Sequence, residues 1–438
     1  MSRTFQRRSR RRMLTLSIAA LCTSSALSLP GTITTSSAAP AVSLANFFVI
    51  GADAQPASSF ASWKARGINT MVRLGSNTMA DFDSGLIQNG LMGIRTPNPS
   101  GSTLDAGLPY LLAEGTGDEP ELHHCGYAAG RDAQFALQSA ASGSGLPFST
   151  NYSGESMYDD QTPGACTHEP PQTGDDVHKY CGVRGDVNDQ QWCYGEYFRA
   201  TDWLSYDIYP MNDGYPLTGI RTVMAKISAN DGVPTNPLPP TLVYIEASDY
   251  NCSGGYPNQW HTVYQAVEAV IAGAKGIVYF PHGLRYTGTV PGVVWCTGSD
   301  ITPDHSTLLT QQEMTRLNTA LAAIPGSAMN STPNPAGVTF EPGTTTGPVS
   351  WGTRSDGTNA YYFTENDNAS TATTPHIVRF NGIANCLGKT VTVLNDTITS
   401  NSPYIYTNRT LTLNASCQST TTESWSALRY HIYKVPIG

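Results

Sequence analysis

The chain has 438 residues with 25 basic and 34 acidic side chains, a formal net charge of −9 at neutral pH. This length is enough for two domains and at least one large core. The acidic balance argues against a nucleic-acid partner, because phosphate backbones are bound by clustered lysine and arginine. Only 13% of the residues are charged, which suits a surface that meets neutral polymers.

The N-terminus has the features of a secretory signal peptide. Five arginines between positions 7 and 12 precede the apolar run Met13 to Leu21, and Ser37-Ala38-Ala39 offers a cleavage site. We therefore predict a signal peptide over residues 1–39, and Arg10-Arg11 approximates the twin-arginine export pattern. Its removal would take six arginines and change the net charge from −9 to −15. No later apolar run reaches the length of a membrane span, so we expect a secreted, extracellular monomer without a membrane partner.

Cysteine usage fits an oxidising compartment. Eight cysteines follow the predicted leader, and an even number in an exported chain indicates disulfides. Cys386 and Cys417 stand alone in the last hundred residues, so we expect them to pair with each other. The pairing of the other six stays open. A zinc site is the rival interpretation, but no C-x-x-C pair occurs, and we expect neither a metal nor another cofactor.

Eight strand-plus-helix units follow the leader and predict a (β/α)8 TIM barrel over residues 45–325. Most of the strand candidates are continuous apolar runs, as expected for parallel strands buried on both faces. The strand candidates are Phe47–Ala52, Asn69–Leu74, Gly93–Thr96, Pro109–Ala113, Pro147–Asn151, Trp203–Tyr209, Leu242–Glu246 and Gly276–Phe280. Helical spacing is clearest over Ala128–Ala141, Asn258–Ala274 and Ser306–Ile324. Two long segments, Tyr152–Phe198 and His282–Pro303, are interpreted as loops that shape a site.

The pattern changes after a linker over residues 326–336. Short strands separated by Gly, Asn and Ser predict an all-β sandwich over residues 337–438. Its strand candidates are Val338–Phe340, Val349–Trp351, Tyr361–Thr364, His376–Phe380, Thr390–Leu394, Ile405–Leu413 and Leu428–Val435. We interpret this domain as a packing module for the barrel, with a carbohydrate-binding surface as the alternative.

Two glutamates stand at the ends of predicted strands 4 and 7. Glu119 lies in Gly117-Asp118-Glu119-Pro120, and Glu246 ends the apolar run that begins at Leu242. In a closed parallel barrel both points lie on one rim. Two facing carboxylates are the minimal equipment for cleaving a glycosidic bond. Glu246, fixed by a buried strand, suits the nucleophile, and its charge would keep Glu119 protonated as the acid that later serves as base.

The arrangement resembles the large superfamily of retaining glycoside hydrolases with a barrel fold. Gly117-Asp118-Glu119-Pro120 looks like the strand-4 motif of that group, with Asp118 in place of the usual Asn that touches the sugar 2-hydroxyl. The segments Trp63–Thr70 and Trp203–Pro210 are similar to its strand-2 entry and strand-6 end. The resemblance covers about residues 45–325 and implies Glu119 as acid/base and Glu246 as nucleophile.

Other side chains compete for these roles or would line the site. Glu114, Glu121 and Glu155 are rival acids, and Asp207 is the rival nucleophile. His123 and His124 beside Cys125 are interpreted as loop residues, with a metal-ligand cluster as the alternative. Sugar rings stack on aromatic platforms, which nominates residues at strand ends and in rim loops. The predicted substrate-binding residues are Asp118, Tyr206, Asp207, Tyr209, Tyr244, His282 and Trp295.

The sequence therefore favours a secreted hydrolase of O-glycosidic bonds in an oligo- or polysaccharide. A non-catalytic carbohydrate-binding protein on the same barrel is the alternative. A secreted esterase or peptidase is disfavoured, because neither G-x-S-x-G nor H-E-x-x-H occurs.

Overall fold

The computed structural model describes residues 46–120, 127–159, 198, 200–229, 239–248, 257–282, 284–286, 293–295, 307–343, 348–401 and 404–438. The predicted leader, Glu121, the two histidines that follow it and every cysteine except the last two lie outside these ranges. Within them, no helix is both long and apolar enough to cross a membrane.

Eight parallel strands close into a barrel in sequence order, with β1 paired to both β2 and β8. The strands are β1 (Val49–Asp53), β2 (Thr70–Val72), β3 (Met92–Arg95), β4 (Leu111–Asp118), β5 (Phe148–Ser153), β6 (Trp203–Asp207), β7 (Thr241–Glu246) and β8 (Gly276–Phe280). The predicted TIM barrel is thus confirmed, including all eight strands. Strand β4 runs five residues beyond its predicted end and carries the chain to Asp118 itself.

The strands alternate between two buried surfaces. Trp203 of β6 and Tyr209, two residues beyond its end, belong to an apolar cluster made mostly by residues of the barrel strands. Leu204 and Tyr206 belong instead to the cluster shared with the surrounding helices. This period of two is the pleat of a β-strand. It places Asp207 on the barrel-interior face, between Trp203 and Tyr209.

Helices connect the strands and cover the barrel. The helices are α1 (Phe60–Ala65), α2 (Met79–Asn89), α3 (Tyr127–Ala141), α4 (Gly154–Asp159), α5 (Pro210–Asp213), α6 (Gly219–Ala229), α7 (Gln259–Ala272), α8 (Leu308–Ala322) and α9 (Gly326–Met329). Helix α7 has well-defined ends. Asn258 accepts hydrogen bonds from the N–H groups of Trp260 and His261, and Gly273 ends the helix with φ 113°. The three predicted helices correspond to α3, α7 and α8.

The two long segments interpreted as loops contain regular structure. The first begins with the last residues of β5 and helix α4, and residues 160–197 lie outside the described ranges. The second contains an antiparallel pair, β9 (Leu284–Tyr286) and β10 (Val293–Trp295). Trp295 ends β10 and lies opposite Leu284.

The C-terminal part is an antiparallel β-sandwich, as predicted. Its strands are β11 (Phe340–Glu341), β12 (Val349–Ser355), β13 (Asn359–Asn366), β14 (Arg379–Phe380), β15 (Thr390–Asn401), β16 (Tyr404–Thr412) and β17 (Tyr430–Pro436). Five of them form a sheet in the order β12-β13-β17-β15-β16, and β11 pairs with β14. The expected disulfide between Cys386 and Cys417 is present.

The sandwich packs on helix α7. Tyr361, Phe363 and Ile432 of the five-stranded sheet belong to the same apolar core as the barrel helices. Polar contacts cross the same boundary: the Tyr264 hydroxyl of α7 donates to Asp367 Oδ1 at 3.1 Å. The fully buried Arg354 of β12 donates to the backbone carbonyl of Val270 on α7. These contacts brace α7 from the side opposite the barrel.

Candidate active site

Charged side chains stand where the parallel strands end. Asp53, Asp118, Asp207 and Glu246 are the last residues of β1, β4, β6 and β7, and Arg73 follows β2 directly. Since the carboxyl ends of parallel barrel strands share one rim, these groups collect at one end of the barrel.

Arg73 joins two of these aspartates. Its Nε and Nη2 donate to the two carboxylate oxygens of Asp53 at 2.7 and 2.6 Å, and its Nη1 lies 2.6 Å from Asp118 Oδ2. Asp53 is fully buried. Burial alone would raise its pKa, but Arg73 and His282 together bring that pKa below its ordinary value. Asp53 is therefore ionised at neutral pH and fixes the guanidinium in a bidentate pair.

Asn151 of β5 extends the network to β6. Its Nδ2 donates to Asp118 Oδ1 and to Asp207 Oδ1, both at 3.0 Å. Asn151 and Asp207 are buried. Both oxygens of Asp118 thus have a partner, one charged and one neutral, and the side chain that precedes Glu119 is held in a single orientation.

Two of the predicted substrate-binding residues, Tyr244 and His282, also contact Asp53. The Tyr244 hydroxyl lies 3.4 Å from Asp53 Oδ1, and burial raises its pKa well above the ordinary value. His282 Nε2 lies 3.0 Å from the Asp53 carbonyl oxygen and 3.3 Å from Oδ2. The network therefore runs from His282 through Asp53, Arg73, Asp118 and Asn151 to Asp207, and with Tyr244 it has a residue in or just after each barrel strand except β3. We call these residues, with Tyr244, the rim network.

Glu119 follows β4 in a strained backbone conformation. Its φ is 49°, and its N–H donates to the Asn151 carbonyl oxygen at 2.9 Å, which continues the β4–β5 pairing. Ala54 and Arg73 also have positive φ, 46° and 63°, directly after β1 and β2. A non-glycine residue in this region costs about 1–3 kcal/mol, and such strain concentrates at functional sites.

Glu246 is enclosed by neutral donors. Its Oε1 accepts from Asn212 N and Nδ2 at 2.9 and 3.0 Å, and its Oε2 accepts from Met211 N and Gln265 Nε2 at 3.0 and 2.7 Å. The residue is 1% exposed. Burial raises the pKa of Glu246, and the four hydrogen bonds act in the opposite direction. These hydrogen bonds favour the anion, although the pKa stays above its ordinary value, and among the described residues no cation pairs with Glu246.

The remaining predicted substrate-binding residues have different surroundings. Tyr206 is fully buried in the helix-facing core, and its hydroxyl donates to the Ile220 carbonyl oxygen at 3.0 Å. Successive strand residues point to opposite faces, and the next residue, Asp207, takes the interior face. Tyr206 is therefore a packing residue. Tyr209 is 2% exposed and its ring centroid lies 5.2 Å from that of Phe280, inside the barrel.

Among the rival acids, Glu114 lies outside the rim network. It is fully buried in β4, and the groups that act on its ionisation are Ser144, Asp105 and Arg95. Burial, together with the nearby Asp105, raises the pKa of Glu114 to about 7. Glu155 lies in the first turn of helix α4, and Glu121 lies outside the described residues. Glu114 is therefore a structural acid.

This raised pKa predicts a pH-dependent stability. Because the folded state keeps the Glu114 proton that the unfolded chain releases near pH 4.5, this contribution is full below pH 4.5 and is lost as pH rises through 7. We expect Glu114→Gln to be more stable than the parent by roughly 1–3 kcal/mol above pH 7 and equal to it near pH 4. Urea titrations at several pH values measure this, with the exposed Glu341→Gln as control. A constant difference across the pH range would contradict the assignment.

Three members of the rim network were not predicted from sequence: Asp53, Arg73 and Asn151. Asp53 and Arg73 carry the signal that nominated Glu246, a charged side chain that closes an apolar strand. Asn151 carries a weaker signal, an amide at the end of a predicted strand. Gln265 carries no such sequence signal, because it is a single polar residue inside an apolar helical stripe.

Comparisons with known proteins support the fold. The chain matches no protein-family model and no curated protein sequence. It is similar to the solved structure of a family 5 glycoside hydrolase from Bacteroides vulgatus, with a TM-score of 0.51, 11% identity and 89% of each chain covered. Likeness at this identity establishes the fold alone.

Two further solved structures are more distant. A family 30 endoxylanase from Clostridium papyrosolvens has a TM-score of 0.40 and 11% identity, over 90% of this chain and 97% of the other. A glucosidase from Croceicoccus marinus has a TM-score of 0.42 and 11% identity, over 89% and 96%. The described strands and rim residues themselves define a TIM barrel with an acidic, arginine-linked rim and a C-terminal β-sandwich.

Proposed function

We propose that the protein is a glycoside hydrolase that cleaves O-glycosidic bonds of an oligo- or polysaccharide with retention of configuration. Glu119 is the acid/base and Glu246 is the nucleophile. The observation that carries this proposal is the rim network, which fixes Asp118, the residue before Glu119. Glu246 ends β7 at the same rim of the barrel. Carboxylates at the ends of β4 and β7, on one rim of the barrel, fit the two-carboxylate chemistry of glycoside hydrolysis.

In this mechanism Glu119 donates its proton to the departing glycosidic oxygen while Glu246 attacks the anomeric carbon. The C–O bond breaks, a glycosyl ester forms on Glu246, and the leaving group departs as an alcohol. Glu119, now ionised, removes a proton from water, which cleaves the ester and regenerates both carboxyl groups. The neutral donors around Glu246 suit this role, because they oppose the rise in its pKa that burial causes and orient the carboxylate.

The rest of the site would bind the sugar. Asp118 and Asp207 would supply hydrogen-bond acceptors, and the ring of Tyr244 would supply an apolar surface. Tyr209, His282 and Trp295 are also proposed to contact the sugar. Because the rim carries three aspartates, we propose a substrate that presents hydrogen-bond donors there. No cofactor is required for this chemistry.

We further propose export through the leader at residues 1–39 and activity as an extracellular monomer. The catalytic barrel would span residues 45–325, with the linker at 326–336 and the accessory sandwich at 337–438. The disulfide between Cys386 and Cys417 is compatible with this location.

A second candidate, a non-catalytic carbohydrate-binding protein, is favoured by one observation. Glu246 is 1% exposed and both of its oxygens already accept two hydrogen bonds, which is also how a purely structural carboxylate is held.

One experiment separates the two candidates. The purified protein is incubated with a panel of polysaccharides and aryl glycosides, and released sugar is measured beside Glu119→Gln and Glu246→Gln variants. Sugar released by the parent but by neither variant supports the hydrolase. Binding of a polysaccharide by all three proteins without release supports the second candidate.

A further inference from the structure

We propose that Gln265, on the helix that follows β7, is a positioning residue that fixes the carboxylate of Glu246 for attack. This inference rests on the proposed function. Gln265 Nε2 donates to Glu246 Oε2 at 2.7 Å, and Gln265 Oε1 lies 3.4 Å from the Glu246 backbone nitrogen. One amide group therefore contacts both the backbone and the carboxylate of the same residue, which fixes the side chain relative to its own strand.

The hydrogen bond from Gln265 Nε2 to Glu246 Oε2 would not easily be replaced by another described donor. Among the described residues, Oε2 of Glu246 accepts one other hydrogen bond, from the backbone N–H of Met211, whereas Oε1 accepts two from Asn212. Gln265 is fully buried and Glu246 is 1% exposed, so bulk water has little access to replace a lost donor. Without Gln265, Oε2 would keep the Met211 N–H as its described donor, and the carboxylate would be held less firmly at that oxygen.

Helix α7 is a firm support for this side chain. Its first turn is capped by Asn258. The residue next to Gln265, Tyr264, is anchored to Asp367 of the C-terminal part at 3.1 Å. One turn further, Glu268 accepts a bidentate pair from Arg221 at 2.7 Å for each bond. The β-sandwich is thereby connected to the proposed nucleophile through a single braced helix.

The neutral amide of Gln265 also suits a residue that holds a nucleophilic carboxylate. All four described donors to Glu246 are neutral, so they orient the anion without pairing its charge with a cation. Misplacement of a reacting group by about 1 Å can cost a factor of about 100 in rate. A residue that sets the carboxylate orientation should therefore act on kcat rather than on substrate binding.

Two variants test the proposal. Gln265→Met keeps the side-chain volume but removes the donor, so we expect kcat to fall about 10- to 100-fold with KM changed less than about threefold. The acidic limb of the kcat/KM profile should move to higher pH, because the lost donor favours protonated Glu246. Gln265→Glu keeps the shape. It should retain activity at low pH, where its protonated carboxyl can still donate, and lose activity as pH rises and two carboxylates face each other.

The control is Gln134→Met. Gln134 is also a buried glutamine on a barrel helix, and it bonds to a strand residue, Thr150, on β5. It should change neither kcat nor the pH profile. Circular dichroism and thermal unfolding confirm that each variant is folded, and Gln265→Glu serves if Gln265→Met does not fold.

The outcomes are distinct. One outcome contradicts the positioning role alone: the parent is active, and its folded Gln265 variants keep kcat within about twofold and do not move either limb of the pH profile. Equal losses in the Gln134 and Gln265 variants contradict it as well. A parent without glycosidase activity contradicts the proposed function, and the positioning role with it.

Discussion

Replacing Glu246 with alanine is expected to lower kcat by at least about 10⁴-fold, because the covalent route loses its nucleophile. The cavity left by the carboxylate should admit azide, which attacks the anomeric carbon directly. Restored turnover should therefore yield a glycosyl azide with inverted configuration. Activity with an aryl glycoside and the anomeric form of the product, read by ¹H NMR, measure this.

The companion variant Glu119→Ala should behave differently. Loss of the acid/base should cost about 10²- to 10⁴-fold for a natural leaving group and much less for an activated aryl group, which departs without protonation. Azide should then attack the glycosyl ester on Glu246 and give a product of retained configuration. The same azide stereochemistry from both variants would contradict the assignment of the two roles.

Replacing Arg73 with methionine is expected to destabilise the protein by about 3–5 kcal/mol, since it leaves the fully buried Asp53 without its charged partner. The pKa of Asp53 is held below its ordinary value by Arg73 and His282. The stabilisation in the parent is therefore present above pH 3.8 and lost as pH falls through the folded pKa. The deficit of the variant should grow as pH rises from about 3 to 7.

Denaturant unfolding across this pH range measures the effect. Arg379→Met, which breaks an ion pair with Glu341 at a surface where the two side chains are 39% and 53% exposed, should cost less than about 1 kcal/mol. The double variant Arg73→Met/Asp53→Asn should recover part of the loss, because no buried charge remains. A loss for Arg73→Met no greater than for Arg379→Met would contradict the role of the rim network.

Much of the architecture could be predicted because buried parallel strands are continuous apolar runs. Leu242–Glu246 and Gly276–Phe280 are apolar over their length, apart from the terminal glutamate and the first glycine, and both were found almost residue for residue. The short β2 lies within the predicted Asn69–Leu74, where Met71 and Val72 are adjacent apolar residues. The extension of β4 to Asp118 was missed because Glu114-Gly115-Thr116-Gly117 has no apolar side chain and its one β-branched residue, Thr116, stands between two glycines.

The site was harder to predict, since it depends on which face each residue takes. Tyr206 was nominated beside Asp207, although successive strand residues point to opposite faces. The pleat of β6 gives the interior to Asp207 and the helix-facing core to Tyr206. Asp53 and Arg73 could have been found by the criterion that selected Glu246. Gln265 could not, because its partner is nineteen residues away and only the crossing of α7 over β7 brings them together.

The most direct test of the central claim is to trap the covalent intermediate. An activated 2-deoxy-2-fluoro glycoside of the accepted sugar slows both steps, and its good leaving group lets the ester accumulate. Intact mass measurement followed by peptide mapping then locates the sugar. The account predicts one sugar per chain, on the peptide that contains Glu246, with no label in Glu246→Gln. A label on Asp118 or Asp207, or hydrolysis with inversion and no adduct, would contradict it.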